Sequence, residues 1–375
     1  MEPMVSPNSS YDCRSRTVRF TTIKGPLSDH LLRCICDLYG KWVDERYQDL
    51  AFVRTVFNDN PFGYSYHVFA FDGSCPVGCY SVIPIEVISR GTPIVAGKGE
   101  ALFLLEEYRK GPPGENHGSF SNQLTGLSLI THAHSFASQQ GIELLFALSP
   151  EALWPILRAT GFSRVQAQLK QRYFLLRPHT VRQLRSDLFK LGGACAASLA
   201  QQALFRLGCL FLPAGEHITK IGDHVPERQL RAISSRHFIE SNRWSVACTP
   251  KALHWWLRMG YLQLFTLDHN ENEYVLVSSG GRGGNLEILD WNLQGTDLVR
   301  ALTMLRYVVA LAREHGGATV SFANRPEFTN TGVLDRAATL FGFLPWSVER
   351  TMFVKSPSRF HSEQHNLYFN WLFSI

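Results

Sequence analysis

Apolar residues recur along this chain in two rhythms, one of period two and one near 3.6, and the order in which they alternate predicts its elements. After a polar N-terminal arm, Thr17 to Ile23 reads as a short strand. Ser28 and Asp29 can cap a helix through residues 30–47, where Leu31, Leu32, Ile35, Leu38, Trp42 and Val43 follow helical spacing. The turn-rich stretch from Phe57 to Gly63 leads into a strand at 66–71. Asp72-Gly73 marks a hairpin, and residues 77–89 form its return strand, with Gly78 able to seat a bulge. Arg90-Gly91-Thr92 turns the chain into a third strand at 94–105.

The rhythm then changes. Residues 106–118 are a Gly/Pro loop. Residues 119–139 predict a helix with Leu124, Leu127, Ile130, Ala133, Phe136 and Ala137 on one face, closed by Gly141. A fully apolar strand at 142–148 follows, then a helix at 151–159 that stops at Gly161-Phe162, then a strand at 165–176. From residue 226 the order is echoed: helices at 226–241 and 250–258, strands at 261–267, 273–279 and 285–291, and a helix at 297–315 ended by Gly316-Gly317. A strand at 318–322, a helix at 331–341 ended by Gly342-Phe343, and a strand at 348–355 complete it. The expected organisation is an N-terminal domain over 1–178, a helical linker over 179–225 and a C-terminal domain over 226–375. In the linker, Phe189 to Pro213 is long and apolar but carries Lys190, Gln201, Gln202 and Arg206, which argues against a membrane span. A helix packed between the two domains is expected, with a surface-lying amphipathic helix as the alternative.

The 375 residues are 45% hydrophobic, 12% aromatic and only 18% charged, which builds large cores and excludes disordered, coiled-coil and low-complexity classes. A formal charge of +5 suits an anionic ligand and falls short of a dedicated nucleic-acid binder, so no DNA partner is expected. None of the eight cysteines forms a C-x-x-C pair, and the N-terminus shows no apolar leader segment. Reduced structural thiols, no metal and a cytoplasmic location are expected.

One junction carries chemistry. Tyr108-Arg109-Lys110-Gly111 ends a strand and feeds the loop GPPGENHG, whose last residue Gly118 and Ser119 precede a helix. The first turn of a helix presents unpaired N–H groups and a partial positive charge, and glycines let that backbone approach a diphosphate. An ordinary surface loop with two basic residues is the competing reading.

The antiparallel three-strand meander, the strand end Leu104 to Gly111, the following helix and apolar strand, and the closing Gly161-Phe162 together resemble the GNAT acyltransferase superfamily. The second unit resembles a more degenerate copy that lacks any Arg-x-x-Gly-x-Gly run. The chain is thus similar to tandem-GNAT proteins related to Fem-type aminoacyl transferases, which the stretches Phe57–Gly63 and Leu257–Tyr261 also resemble. The resemblance implies an α+β fold: two GNAT-like domains, each a mixed, mainly antiparallel sheet flanked by helices. It implies an N-acyltransferase with acetyl-CoA or another acyl-CoA as cosubstrate and a small-molecule amine acceptor in an interdomain cleft. In this reading the backbone at Leu104 polarises the acyl carbonyl. Arg109, Lys110, Gly111, Gly118 and Ser119 hold the donor, and Glu100 in Gly97-Lys98-Gly99-Glu100 is the general base. The alternative for Glu100 is a solvated strand residue beside Lys98. Two departures stand out: the phosphate loop is longer than the family's, and Leu157 occupies the position of the family's tyrosine acid. The longer loop leaves an acyl carrier protein or an aminoacyl-tRNA open as donor, and a non-catalytic scaffold open as a function.

Other constellations carry less. Ser278 to Gly284 has the composition of a phosphate loop but lies between strands, where a hairpin loop is expected. His132 and His134 are expected as polar surface residues. His361 and His365, and the aromatic run Tyr368 to Phe373, sit in a C-terminal tail expected to dock on the body.

Overall fold

The computed structural model describes residues 18–42, 45–89, 92–108, 120–147, 153–178, 188–212, 218–221, 225–237, 245–267, 270–279, 285–293, 297–323 and 331–355. The chain begins with β1 (Val18–Lys24) and α1 (Asp29–Trp42). The single helix expected through residue 47 is divided in two. A Cβ on Gly40 would lie 2.9 Å from the backbone nitrogen of Gln48, so only glycine lets the chain fold back this closely. A 3-10 turn (Glu45–Gln48) then leads to α2 (Leu50–Phe57), where the Asp49 carboxylate accepts the Ala51 N–H as N-cap. The meander follows as β2 (Tyr66–Asp72), β3 (Cys75–Ser89) and β4 (Thr92–Leu104). Then come α3 (Phe120–Gln139), β5 (Leu144–Ala147), α4 (Trp154–Ala159), β6 (Ser163–Leu175) and α5 (Leu188–Leu210).

The second unit holds two short strands that the pattern did not predict, β7 (Ile218–Ile221) and β8 (Ser245–Val246). Around them lie α6 (Glu227–His237), α7 (Pro250–Arg258), β9 (Leu262–Leu267), β10 (Asn270–Ser279) and β11 (Leu286–Asn292). The chain closes with α8 (Leu298–Glu314), β12 (Thr319–Ala323), α9 (Thr331–Leu340) and β13 (Leu344–Lys355).

Both units share one 13-stranded sheet, ordered β1-β2-β3-β4-β5-β13-β6-β12-β11-β10-β9-β7, with β8 on β3. The last strand of each unit is exchanged: β13 inserts between β5 and β6, and β6 lies between β13 and β12. Ser163 faces Val354 and Tyr173 faces Leu344, so each strand's first residue opposes the other's eleventh. Both exchanged strands leave the same turn, at Gly161 and Gly342, whose φ of 87° and 82° is left-handed. The buried Phe162 and Phe343 then anchor them. The exchange leaves neither unit an open sheet edge at the junction.

One face of the sheet carries α1, α2, α6 and α7 over a core drawn from both units. Trp255 of α7 ties that core together. Its indole N–H donates to the Thr55 carbonyl at 2.9 Å, and Arg258 bridges Asp59 at 2.8 Å nearby. We expect Trp255→Ala to lower unfolding free energy by about 3–5 kcal/mol in urea titrations, through the cavity and the orphaned carbonyl together. Trp255→Phe should cost less than half of that.

The other face carries α3, α4, α8 and α9. Outside it, α5 lies across the end of β6. It turns polar side chains inward. The Ser198 hydroxyl donates to the Leu175 carbonyl (2.7 Å), and the Gln201 amide accepts from Leu175 N–H and donates to the Tyr173 carbonyl (2.9 Å each). Beside them the buried Phe205 packs between Phe174 of β6 and Phe341 just past α9, and Gly208 lies against the same Phe341 ring, so the helix seats on elements of both units. Among the described residues, no helix is long and apolar enough to cross a membrane.

Candidate active site

β4 and β5 run parallel and pair from Ala96↔Leu144 to Gly99↔Ala147. Among the described residues β4 then continues to Leu104 with no β5 partner, while its other edge stays on β3. On that edge Ser81 faces Glu100 and Cys79 faces Phe103, so β4 spends three residues where β3 spends two. This bulge turns the strand immediately past its last β5 pair. Gly78 makes the approach possible: a Cβ there would lie 2.8 Å from Leu104 Cδ1 and 2.9 Å from the Phe103 carbonyl oxygen. Leu104 itself is buried, and the next amide, Leu105 N–H, donates to the Val77 carbonyl at 2.9 Å.

Glu100 stands at the start of the bulge, on the α1 side of the sheet. Its Oε1 accepts the Tyr47 hydroxyl at 3.0 Å, and its Oε2 lies 3.0 Å from Lys98 Nζ. The carboxyl is 15% exposed, so it is a sheltered group rather than the solvated residue of the alternative reading. Burial first, and the Glu100 charge second, push the Tyr47 hydroxyl well above its ordinary range, so it stays a donor to the carboxylate. Tyr47 was not legible as a site residue, because the 3-10 turn that delivers it follows from the Gly40 contact and not from any period.

On the opposite side, the Tyr80 hydroxyl covers Gly99, where a Cβ would overlap it. Tyr80 lies 3.2 Å from His134 Nε2. Both side chains are buried, and burial, with the Lys355 charge second, lowers the His134 pKa to about 3. The expectation of a surface residue is thus wrong for His134, because α3 turns it onto the sheet, and right for His132, which is exposed. Gly126 of α3 lies over Leu102, which sets the N-terminal half of that helix beside the end of β4. Tyr108, just before the loop, donates to Asp72 Oδ2 at 2.5 Å. Arg109, Lys110, Gly111, Gly118 and Ser119 lie outside the described residues, as do His361, His365 and the aromatic tail.

The second unit repeats the backbone without the fittings. β11 and β12 pair in parallel from Leu286↔Val320 to Ile288↔Phe322, and the β10–β11 register then shifts at Leu276/Val277. Here, however, Asp290 is buried and spent on the Tyr274 hydroxyl and the Trp291 N–H, both at 2.7 Å. The following helix is capped by its own Asp297, which accepts Val299 N–H at 2.8 Å, so an internal carboxylate already sits where an anion would. Ser278 and Ser279 end β10 opposite Glu287 and Leu286, and the rest of the Ser278–Gly284 stretch, where a hairpin loop was expected, lies outside the described residues.

No family model matches the sequence, and no curated protein resembles it at sequence level. Solved structures do resemble the fold. A tandem GNAT protein from the clavulanic acid biosynthesis pathway matches 91% of this chain over 100% of its own, with a TM-score of 0.50 and 14% identity. The N-myristoyltransferase of Saccharomyces cerevisiae with bound myristoyl-CoA matches 92% of this chain over 80% of its own, with a TM-score of 0.53 and 10% identity. The chain has the GNAT fold, α+β and in tandem.

Proposed function

We propose that this chain is an N-acyltransferase that moves an acyl group from an acyl-CoA thioester to a small-molecule amine. The observation that carries the reading is the β4 bulge beside Glu100, placed where the β4–β5 ladder ends at Gly99↔Ala147. A pantetheine-like arm, extended and rich in amides, can lie along this stretch of β4 in the way an added strand would. The backbone around Leu104 then lies along the acyl carbonyl. Arg109, Lys110, Gly111, Gly118 and Ser119, with the α3 N-terminus behind them, are the groups for the diphosphate. The amine approaches from the α1 side, where Arg46 lies 4.3 Å over the Tyr261 ring of the second unit. The amine nitrogen bonds to the acyl carbon, its proton passes to Glu100, and the carbon–sulfur bond breaks to release the thiolate. Lys98 and Tyr47 hold the carboxylate in place.

Thermal shift with acetyl-CoA, longer acyl-CoAs and free CoA tests this. At least one thioester should raise the melting temperature in a concentration-dependent way, and Arg109→Ala should weaken that effect. No shift with any of them overturns the reading. Salt-sensitive tRNA binding in their place would make charged tRNA the donor.

A further inference from the structure

The outward face of α5 is apolar. Leu199, Leu207, Leu210 and Phe211 are 70%, 56%, 77% and 84% exposed, and Leu204 is 47% exposed. They run from residue 199 to 211, along the C-terminal half of the helix and the residue just past it, roughly 18 Å. The stripe widens at its C-terminal half. Leu204 lies against Gly342, and exposed Leu340 and Leu344 flank that turn. Seven of the ten exposed large hydrophobic side chains among the described residues therefore gather along this helix and the turn beside it. Single exposed leucines need no explanation, but a concentration of this kind marks a contact surface.

The corner is also basic. Arg206 projects from α5 itself among the leucines. Arg313 is exposed with its guanidinium 4.8 Å over the Phe205 ring, and the charges of Arg306 and Arg313 reach Cys209 on the same helix. Arg206 and Arg313 also act on one another. The surface is a convex helix rather than a groove, so it does not enclose a peptide. A symmetric contact with a second copy would set this cationic corner against itself.

We propose that the α5 face docks the protein on an anionic phospholipid surface, with Leu199, Leu207, Leu210 and Phe211 in the headgroup–acyl boundary and Arg206, Arg306 and Arg313 against lipid phosphates. An apolar stripe with arginines beside it is the arrangement that binds such surfaces without spanning them. Phe205 seats α5 in the core on the sheet face opposite Tyr47 and Glu100, so the docked surface lies away from the candidate active site.

Co-sedimentation of the full-length protein with phosphatidylcholine vesicles, with and without phosphatidylserine, decides this independently of any catalytic activity. Binding is expected to the anionic vesicles and to weaken as salt rises. The double variant L210S/F211S should bind about tenfold more weakly or worse. Arg206→Gln should lose about fivefold on anionic vesicles alone. All three proteins should melt within a few degrees of one another, because the changed side chains are exposed. No sedimentation with anionic vesicles, or binding unchanged in L210S/F211S, overturns the proposal. So does a wild-type dimer in sedimentation velocity that the double variant converts to monomer, since the stripe would then be a self-interface.

Discussion

Glu100→Gln is expected to lower the rate of thiol release from acyl-CoA, measured over a panel of amines, by about 10²- to 10⁴-fold. The donor dissociation constant should stay within about twofold. The substitution keeps an acceptor oxygen for the Tyr47 hydroxyl and removes the proton-accepting carboxylate and the charge paired with Lys98. The donor binding proposed along β4 would not use the Glu100 side chain, which meets Tyr47 on the α1 side. A rate loss with intact donor affinity separates a base from a residue that merely shapes the slot. Unchanged turnover removes Glu100 from the reaction, and an equal loss of donor affinity assigns it to binding.

Stability should fall steeply in mild acid. His67 and His134 are both buried, and burial holds each pKa near 3, well below the ordinary value of about 6.5. A lowered folded pKa means that the neutral ring is the form the fold accepts. Above pH 6.5 neither state takes up the proton and nothing is lost. Below it the unfolded chain binds protons that the folded chain refuses, and stability drops until pH nears 3. Each ring contributes about 1.4 kcal/mol per pH unit, so the pair removes about 5 kcal/mol between pH 6.5 and 4.5. That is comparable to the whole stability of many domains. Urea unfolding at stepped pH measures the slope, and His134→Phe should halve it while leaving Tyr80 without its partner. A flat profile across this window would show that both rings become protonated without cost, through water access that burial at this depth argues against.

Periodicity carried much of the fold. The meander, the apolar β5, the helices α3 and α8 and the two Gly-Phe endings are local: each follows from side chains that repeat at period two or 3.6 around a turn residue. The approximate boundaries of α7 and β9 came the same way. Glu100 entered as a candidate only through the family resemblance; the close packing at its neighbours, where a Cβ on Gly97 or Gly99 would strike Val82, Leu145 or Tyr80, shows only in the structure. His134 was misread, since the i,i+2 spacing with His132 says that one of the two faces inward but not which.

What the chain determined by itself is thus most of its list of elements, because these depend on contacts within a few residues. The tertiary structure alone decided the exchange of β6 and β13, the delivery of Tyr47 to Glu100, and the seating of α5 on β6. Each of these joins segments far apart in sequence: Ser163 meets Val354, Tyr47 meets Glu100, and Gln201 meets Tyr173. No local period encodes such pairs, because their energy comes from burying surfaces and satisfying strand ends that exist only once both units are folded.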